Sequence, residues 1–403
     1  MSPEAIWKWA QIKGIGVVGT GDFTHPGWLK ELSEKTEPAG DGLFTLKKEY
    51  EPKGVPGSCR DEVLFVLSAE ISSIYRKNNK TRKVHSLILV PGFSDAIRIN
   101  RALSRIGNLN ADGRPILGLD ALELLKTVAD VTPSAVFIPA HAWTPHFSVF
   151  GAMSGFDSLE ECFDDYTPCI YALETGLSSD PPMNWRLSAL DHLTLVSNSD
   201  AHSPSKMGRE ANIFDTDKSY SAMVEALKTR DGFLGTIEFF PEEGKYHYDG
   251  HRACSVRLSP EETIRHGYLC PHCGRRVTVG VLHRVGTLAD RPPGFRRHDA
   301  PAYHPLIPLA EVIAETLGVG VASKGVEAVY QRIIHSLGNE FSILLEAPIQ
   351  DIEREGSRLI GKGIERMRSG SIHVAPGYDG EYGKIRLFDF ADRMEIEGHG
   401  ASS

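Results

Sequence analysis

The stretch LTLVSNSDAHS, residues 193–203, decides the reading of the fold. A short apolar run ends abruptly in a polar loop that carries Asp200 and His202. A D-x-H pair placed directly after a strand projects two potential ligands to one side. Further short apolar runs stand upstream in IGVVGT (15–20), EVLFVLSAE (62–70), KVHSLILV (83–90), SAVFIPAHAW (134–143) and CIYALETG (169–176), and downstream in GFLGTIEFF (232–240), and four of the runs end in, or just before, a carboxylate or histidine. Amphipathic stretches separate these runs: 3–14, 96–107, 119–130 and 219–230. Strands alternating with helices indicate βα units and a largely parallel sheet, and nearly continuous apolar strands fit burial on both faces. In such folds the functional side chains collect at the carboxyl ends of strands.

The polar residues at those ends form one set: Asp22, His25, Glu70, His85, His141, Asp200 and His202. Carboxylate oxygen and imidazole nitrogen together suit zinc, manganese or iron. Clustered cations serve phosphate-ester hydrolysis by polarising the phosphoryl oxygen and supplying hydroxide near neutral pH. No phosphate-cradling GxxxxGK loop or GxGxxG turn is present, so hydrolysis without a nucleotide cofactor is the expected chemistry. Each residue alone also reads as a helix N-cap or a satisfied core group. Glu174 and Glu238 fit a structural ion pair at least as well as a ligand role. Only the joint pattern lifts the set above that background.

The pattern changes near residue 241. Residues 246–300 are rich in Gly, Pro, His, Cys and Arg, and the remainder (301–403) is mostly helical, with expected helices over 307–318, 325–338 and 342–370 and a hairpin after 371. His251-x2-Cys254 and Cys270-x2-Cys273, 15 residues apart, read as a structural zinc ribbon. His247 and His266 compete with His251 for the fourth position. Arg275, Arg276 and Arg284 belong to the one concentrated basic stretch and are expected to contact DNA phosphates. The remaining cysteines, Cys59, Cys162 and Cys169, are scattered and read as ordinary thiols.

With 403 residues, 41% hydrophobic and 24% charged, the composition is that of an ordinary globular protein with two or three domains. The formal net charge of −9 excludes a basic nucleic-acid coat, though not a local basic groove. No apolar run is long enough to span a bilayer and no signal peptide opens the chain, so a cytoplasmic protein with no membrane partner is expected.

GTGDFTHPGW, LSAEIS, VHSLILVPG, PAHAWTP and SNSDAHS resemble the motifs of the PHP metal-dependent phosphoesterases, and more narrowly those of the endonuclease Q family. The resemblance continues through GTIEFFPEEGKYHYDGHRAC, CPHCGRRVTVGVLHRVGTLADRP and SKGVEAVYQRII. It implies a distorted (β/α)7 barrel over 1–245, a zinc-binding ribbon over 246–300 and a small helical C-terminal domain over 301–403. It implies barrel ligands at Glu70, His85, His141, Asp200 and His202, with His141, Asp200 and His202 nearest the chemistry. Asp22 and His25 are weaker assignments, because Gly-Asp22-Phe23 stands where the family has T-D-H. The implied cofactors are a cluster of divalent metals (Zn, Mn, Mg or Fe) and a structural zinc. The implied reaction is cleavage of damaged DNA on the 5′ side of uracil, hypoxanthine, xanthine or an abasic site. Lesion-pocket candidates are Trp143, Phe147, Phe150 and the 177–186 loop. The competing readings are a small-molecule phosphatase of the same superfamily and a catalytically decayed DNA-binding protein.

The family pattern opens with a strand bearing an H-x-H pair, whereas this sequence starts at Met1-Ser2-Pro3-Glu4 within the first amphipathic stretch. A misassigned start codon or a truncated frame is the expected cause of the difference, with real loss of the strand as the alternative. The form as written is expected to be less stable and poorly active, since losing a strand leaves a sheet edge unpaired. Metal content per chain, measured on this form and on a longer one carrying the pair, should be higher in the longer form. Equal loading of the two would overturn the expectation.

Overall fold

The structure is a computed structural model, and it describes residues 1–111, 113–389 and 392. The N-terminal part contains α1 (Pro3–Lys13), β1 (Val17–Gly19), α2 (Pro26–Lys35), β2 (Thr36–Pro38), β3 (Phe44–Leu46), β4 (Leu64–Lys77), β5 (Lys80–Val90), α3 (Phe93–Leu103) and β6 (Ile116–Leu117). There follow α4 (Ala121–Val131), β7 (Val136–Pro139), α5 (Leu159–Phe163), β8 (Ala172–Glu174), α6 (Pro181–Asn184), β9 (Thr194–Val196), β10 (Ala211–Phe214), α7 (Tyr220–Thr229) and β11 (Phe233–Glu238). The cysteine-containing segment holds β12 (Asp249–His251), β13 (Val256–Leu258), α8 (Pro260–Arg265) and α9 (Val281–Leu288). The remainder comprises β14 (Ala302–Pro305), α10 (Leu309–Leu317), α11 (Lys324–Leu337), α12 (Glu340–Leu345), α13 (Ile349–Glu355), α14 (Arg358–Arg368), β15 (His373–Ala375) and β16 (Lys384–Arg386).

The sheet is mixed, not largely parallel. β1 and β6 lie parallel to β4, while β3, β5 and β7 extend the sheet by antiparallel pairs. The cause is local. Asn78 and Asn79 adopt φ of 54° and 59°, the left-handed pair that closes a two-residue hairpin. A turn that short returns the chain antiparallel, since a parallel return needs a long crossover. β4 therefore runs on to Lys77, and Glu70 lies within the strand instead of at its end. Beyond β7, β8 and β9 pair in parallel, and β11 lies between antiparallel β10 and parallel β14.

The expected single helix over 342–370 is broken into α12, α13 and α14. Pro348 has no N–H to donate and caps α13, and Ser357 after Gly356 caps α14 by accepting from the Ile360 amide. The expected hairpin after 371 is present as β15 and β16. α10 to α14 share one apolar core around Leu309, Ile313, Ile333, Ile343 and Ile364.

Among the described residues β1 pairs with β4 alone. Beside it opens a cavity of about 1390 Å³, whose walls include Val17, Val66, Leu89, Val196, Phe214 and Leu227. It runs through the barrel to the mouth, where Asp22, Glu70, Asp200 and His202 line it. Close packing is the rule in protein interiors, so a space this large leaves β1 held mainly from one side.

A buried ion pair ties α1 to the helical segment. Glu340 accepts from Lys13 Nζ at 2.6 Å, from the Tyr330 hydroxyl at 2.6 Å and from the Leu309 amide at 3.0 Å, with the two charged side chains 5% and 3% exposed. Removing one partner strands a buried charge, which typically costs about 3–5 kcal/mol. Lys13→Ala should lower unfolding stability by that order in denaturant titration. A change below about 1 kcal/mol would show that the pair does not couple α1 to the helices.

Candidate metal centre at the barrel mouth

The hairpin register creates the centre. Glu70 stands opposite Leu87 and Ser72 opposite His85, so Glu70 and His85 are diagonal neighbours on one face. β7 runs beside β5, and the Ala140 amide donates to the His85 carbonyl at 3.0 Å, which brings His141 alongside. The result is a triangle of donor atoms. Glu70 Oε1 is 2.9 Å from His85 Nδ1 and 3.1 Å from His141 Nε2, and the two nitrogens are 3.1 Å apart. Ligands bonded at about 2.0–2.2 Å to one ion sit roughly 2.9–3.5 Å from each other, so this triangle fits the face of a coordination shell.

Asp22, His25, Asp200 and His202 line the same mouth but lie outside the triangle. Asp200 Oδ1 and His202 Nδ1 are 3.9 Å apart, and the His202 side chain is 77% exposed at the rim. His25 caps α2, with Nδ1 accepting from the Trp28 amide at 3.3 Å. The residues around the triangle are mostly ones that the sequence left unmarked. Arg114 reaches Glu70, His85 and Asp200 at once. Thr144 Oγ1 stands 3.0 Å from His141 Nδ1 and orients the ring. Arg209 Nε donates to the Ser199 carbonyl at 2.8 Å and steadies the loop carrying Asp200. No signal in the LNADGRP loop marks Arg114 as a site residue.

Glu174 braces two of the loops. Its Oε2 accepts from the His141 amide at 2.6 Å, and its Oε1 accepts from Asn198 Nδ2 at 2.8 Å. The backbone here is strained. Asp22, His141 and Asp200 have φ of 45°, 30° and 44°, a region that residues with a Cβ rarely occupy. Gly176 makes room for one of them, since a Cβ there would lie 2.5 Å from His141 Cβ.

The electrostatics split into two layers. Burial alone would raise Glu70, but hydrogen bonds from His141 and His85, with the charges of His141 and Arg114, hold its carboxyl well below the usual range. Burial lowers His85, whereas His141 is raised by Glu70 and nearby carboxylates against its own burial. Burial and the charge of Glu70 push Asp22 up. Deeper in, burial takes Glu174 up to about 7 and drives Glu210 and Glu238 well above the ordinary carboxylate range.

In the second cluster, His251, Cys254, Cys270 and Cys273 place four donor atoms within 4.8 Å of one another. His251, not His247 or His266, joins the cysteines. Only Leu258, Cys270 and Val277 form the buried apolar cluster beside them, too little to hold the segment unaided. Of the three arginines expected to meet DNA, Arg275 and Arg276 are exposed. Arg284 is spent inside the chain, donating to the Phe150 and Phe156 carbonyls and to Asp157, and so clasps α9 to the barrel. Trp143 and Phe150 pack on each other in the core, whereas Phe147 lies against the His85 ring.

Imidazole and carboxylate donors converging at the mouth of an α/β barrel define the class: barrel proteins equipped to hold metal cations there. The chain belongs to the endonuclease Q family. Its fold matches the lesion-specific endonuclease PfuEndoQ of Pyrococcus furiosus at 30% identity and a TM-score of 0.84, covering 100% of this chain and 94% of that one. It also matches endonuclease Q in complex with a 27-mer duplex bearing an abasic lesion at the active site, at 30% identity and a TM-score of 0.81, over 98% and 93% of the two chains. YqxK of Bacillus subtilis is 32% identical over 93% of this chain and 89% of its own length. MJ0043 of Methanocaldococcus jannaschii is 33% identical over 61% of this chain, which spans 31% of that longer protein. The family model of the MJ0043 C-terminal domain matches residues 308–371.

The deeper layer makes stability depend on pH. Glu238 is fully buried, with Oε2 accepting from Thr175 Oγ1 at 3.1 Å and Oε1 unpartnered. In the unfolded chain it ionises near the ordinary value of about 4.3. In the fold it keeps its proton to well above that value. Between the two the folded state binds more protons, so stability falls as pH rises. Glu238→Gln should therefore melt a few degrees above the parent at pH 8 and close to it at pH 5, in scans of metal-free protein. A lower melting point at pH 8 would refute this.

Proposed function

We propose that the chain is a DNA-repair endonuclease that hydrolyses the phosphodiester 5′ to a deaminated base (uracil, hypoxanthine or xanthine) or an abasic site. The observation that carries the reading is the triangle of Glu70, His85 and His141, whose Glu70 lines one cavity together with Asp22, Asp200 and His202. Full-length likeness to an endonuclease Q bound to lesion-bearing duplex supports DNA as the substrate.

In this reading Glu70, His85 and His141 hold divalent cations, with Asp22, His25, Asp200 and His202 completing the cluster. Such cations polarise the phosphoryl oxygen, lower the pKa of water and offset charge on the leaving oxygen. Thr144 fixes which face His141 presents, and Glu174 keeps the His141 and Asn198 loops in register. His202, exposed at the rim beside Asp200, is placed to meet the incoming phosphate. A mispaired or missing base costs less to extrude than a paired one, which favours damaged sites.

His251, Cys254, Cys270 and Cys273 are proposed to hold a structural zinc, with Arg275 and Arg276 presenting positive charge to the duplex backbone. The functional division proposed is barrel 1–245, zinc segment 246–300 and helical segment 301–403. β14 links the first and last by pairing with β11. Among the described residues no helix is long and apolar enough to cross a membrane.

The test is incubation of the longer form, carrying the H-x-H pair, with a uracil- or inosine-containing duplex plus manganese or magnesium. A nick immediately 5′ to the lesion is expected, and Glu70→Gln should reduce its rate by at least ~100-fold, the upper end for residues that support a metal centre. Hydrolysis of a small phosphomonoester without nicking would favour the phosphatase reading instead. Tight DNA binding without hydrolysis would favour a protein that has lost its catalysis.

A further inference from the structure

Arg114 enters the ligand set from outside every sequence motif. Its Nε is 3.2 Å from Glu70 Oε2, Nη1 is 2.8 Å from His85 Nδ1, and Nη2 is 3.2 Å from Asp200 Oδ1. One guanidinium thus spans candidate ligands from β4, β5 and the loop after β9. The pairing is not self-consistent. His85 Nδ1 faces Glu70 Oε1, which calls for a proton on that nitrogen, and Arg114 Nη1, which calls for a lone pair. A guanidinium keeps its protons at any ordinary pH, so no single state of His85 serves both partners. Glu70 Oε1, His85 Nδ1 and His141 Nε2 thus converge to within about 3 Å of one another, an arrangement that a cation satisfies fully and a planar fork only in part.

The backbone anchors the fork from one side. After Arg114 the chain is fixed, since the Pro115 carbonyl accepts from the Ser72 amide at 3.0 Å. Before it stands Gly113, at φ of 76° with nothing within 4 Å of where a Cβ would be, and Asn110 and Ala111 are exposed. Arg114 keeps 23% of its side chain exposed, toward the cavity that it lines.

We propose that Arg114 is an exchangeable internal cation. It holds Glu70, His85 and Asp200 together until divalent metal takes them, and the released guanidinium then binds a phosphodiester oxygen of the substrate, a group whose geometry its fork matches. The second half rests on the nuclease reading; the first does not.

Two measurements on Arg114→Met and Arg114→Lys test it, with melting curves to establish folding. The first is Mn²⁺ titration without DNA, followed by the paramagnetic resonance of free Mn²⁺, a hard cation that thiolates bind poorly. Arg114→Met should bind Mn²⁺ about tenfold or more tighter than the parent, with Arg114→Lys between them. Equal or weaker binding overturns the exchange. The second is duplex binding at saturating Mn²⁺ across a salt series on short time scales. Arg114→Met should bind more weakly, with a log–log salt slope shallower by about one. An unchanged slope overturns the phosphate contact. If Arg114→Met does not fold, Arg114→Gln takes its place in both tests, since it removes the charge while keeping a polar side chain. Tighter Mn²⁺ binding by Arg114→Met, with no nicking of lesion duplex by the parent, would sink the nuclease reading and leave the exchange standing. Normal nicking with unchanged Mn²⁺ binding would do the reverse.

Discussion

Everything at the barrel mouth depends on positive charge being present where Glu70 meets two imidazoles. Three strands deliver these groups to within about 3 Å of each other, and Asp22 and Asp200 stand close by. Two carboxylates at 4 Å repel by roughly 4 kcal/mol at an effective dielectric constant of 20. Unbalanced, that repulsion opposes the β4–β5 register and the loops after β1 and β9. Balanced, it becomes the force that holds them, because each element is pinned to the same centre of charge. The long hairpin is the rigid part of this arrangement, and the ligand loops fold against it.

Behind this centre lies a second set of carboxylates in the opposite state. Glu70 is held ionised by its neighbours, whereas Glu174, one hydrogen-bonded residue further in, is pushed up to about 7 by burial. Glu210 and Glu238 go further in the same direction. The same functional group therefore does two jobs, set by surroundings alone. In front it attracts cations, and behind it accepts hydrogen bonds from the His141 amide, Asn198 and Thr175. The deeper layer fixes where His141 and the Asn198 loop stand without adding negative charge behind them.

Much of this was legible in the chain. Apolar runs ending in Asp or His marked the strands, and most helices fall within a few residues of their amphipathic stretches. The two Cys/His knuckles converge as their spacing implied. What escaped reading depends on contacts between distant segments. The Asn78-Asn79 pair went unread, and its consequence, an antiparallel sheet with Glu70 inside a strand, requires both residues at positive φ. Residues 342–370 kept helical periodicity across Pro348 and Gly356, which hid two breaks. Arg114 lies in a loop whose composition says only that the chain turns. Conversely, charge counting overstated the basic lobe, because Arg284, Arg291 and Arg297 are paired within the chain.

The left-handed backbone at Asp22, His141 and Asp200 has a bearing on how this protein can evolve. Each such position disfavours its own side chain by about 1 kcal/mol or more relative to glycine. Glycine at these places would ease the backbone while removing side chains that, in the nuclease reading, serve the reaction. In that reading hardiness and activity are opposed at three points on one rim, and a lineage that stops needing the reaction has a downhill route to a sturdier, inert barrel.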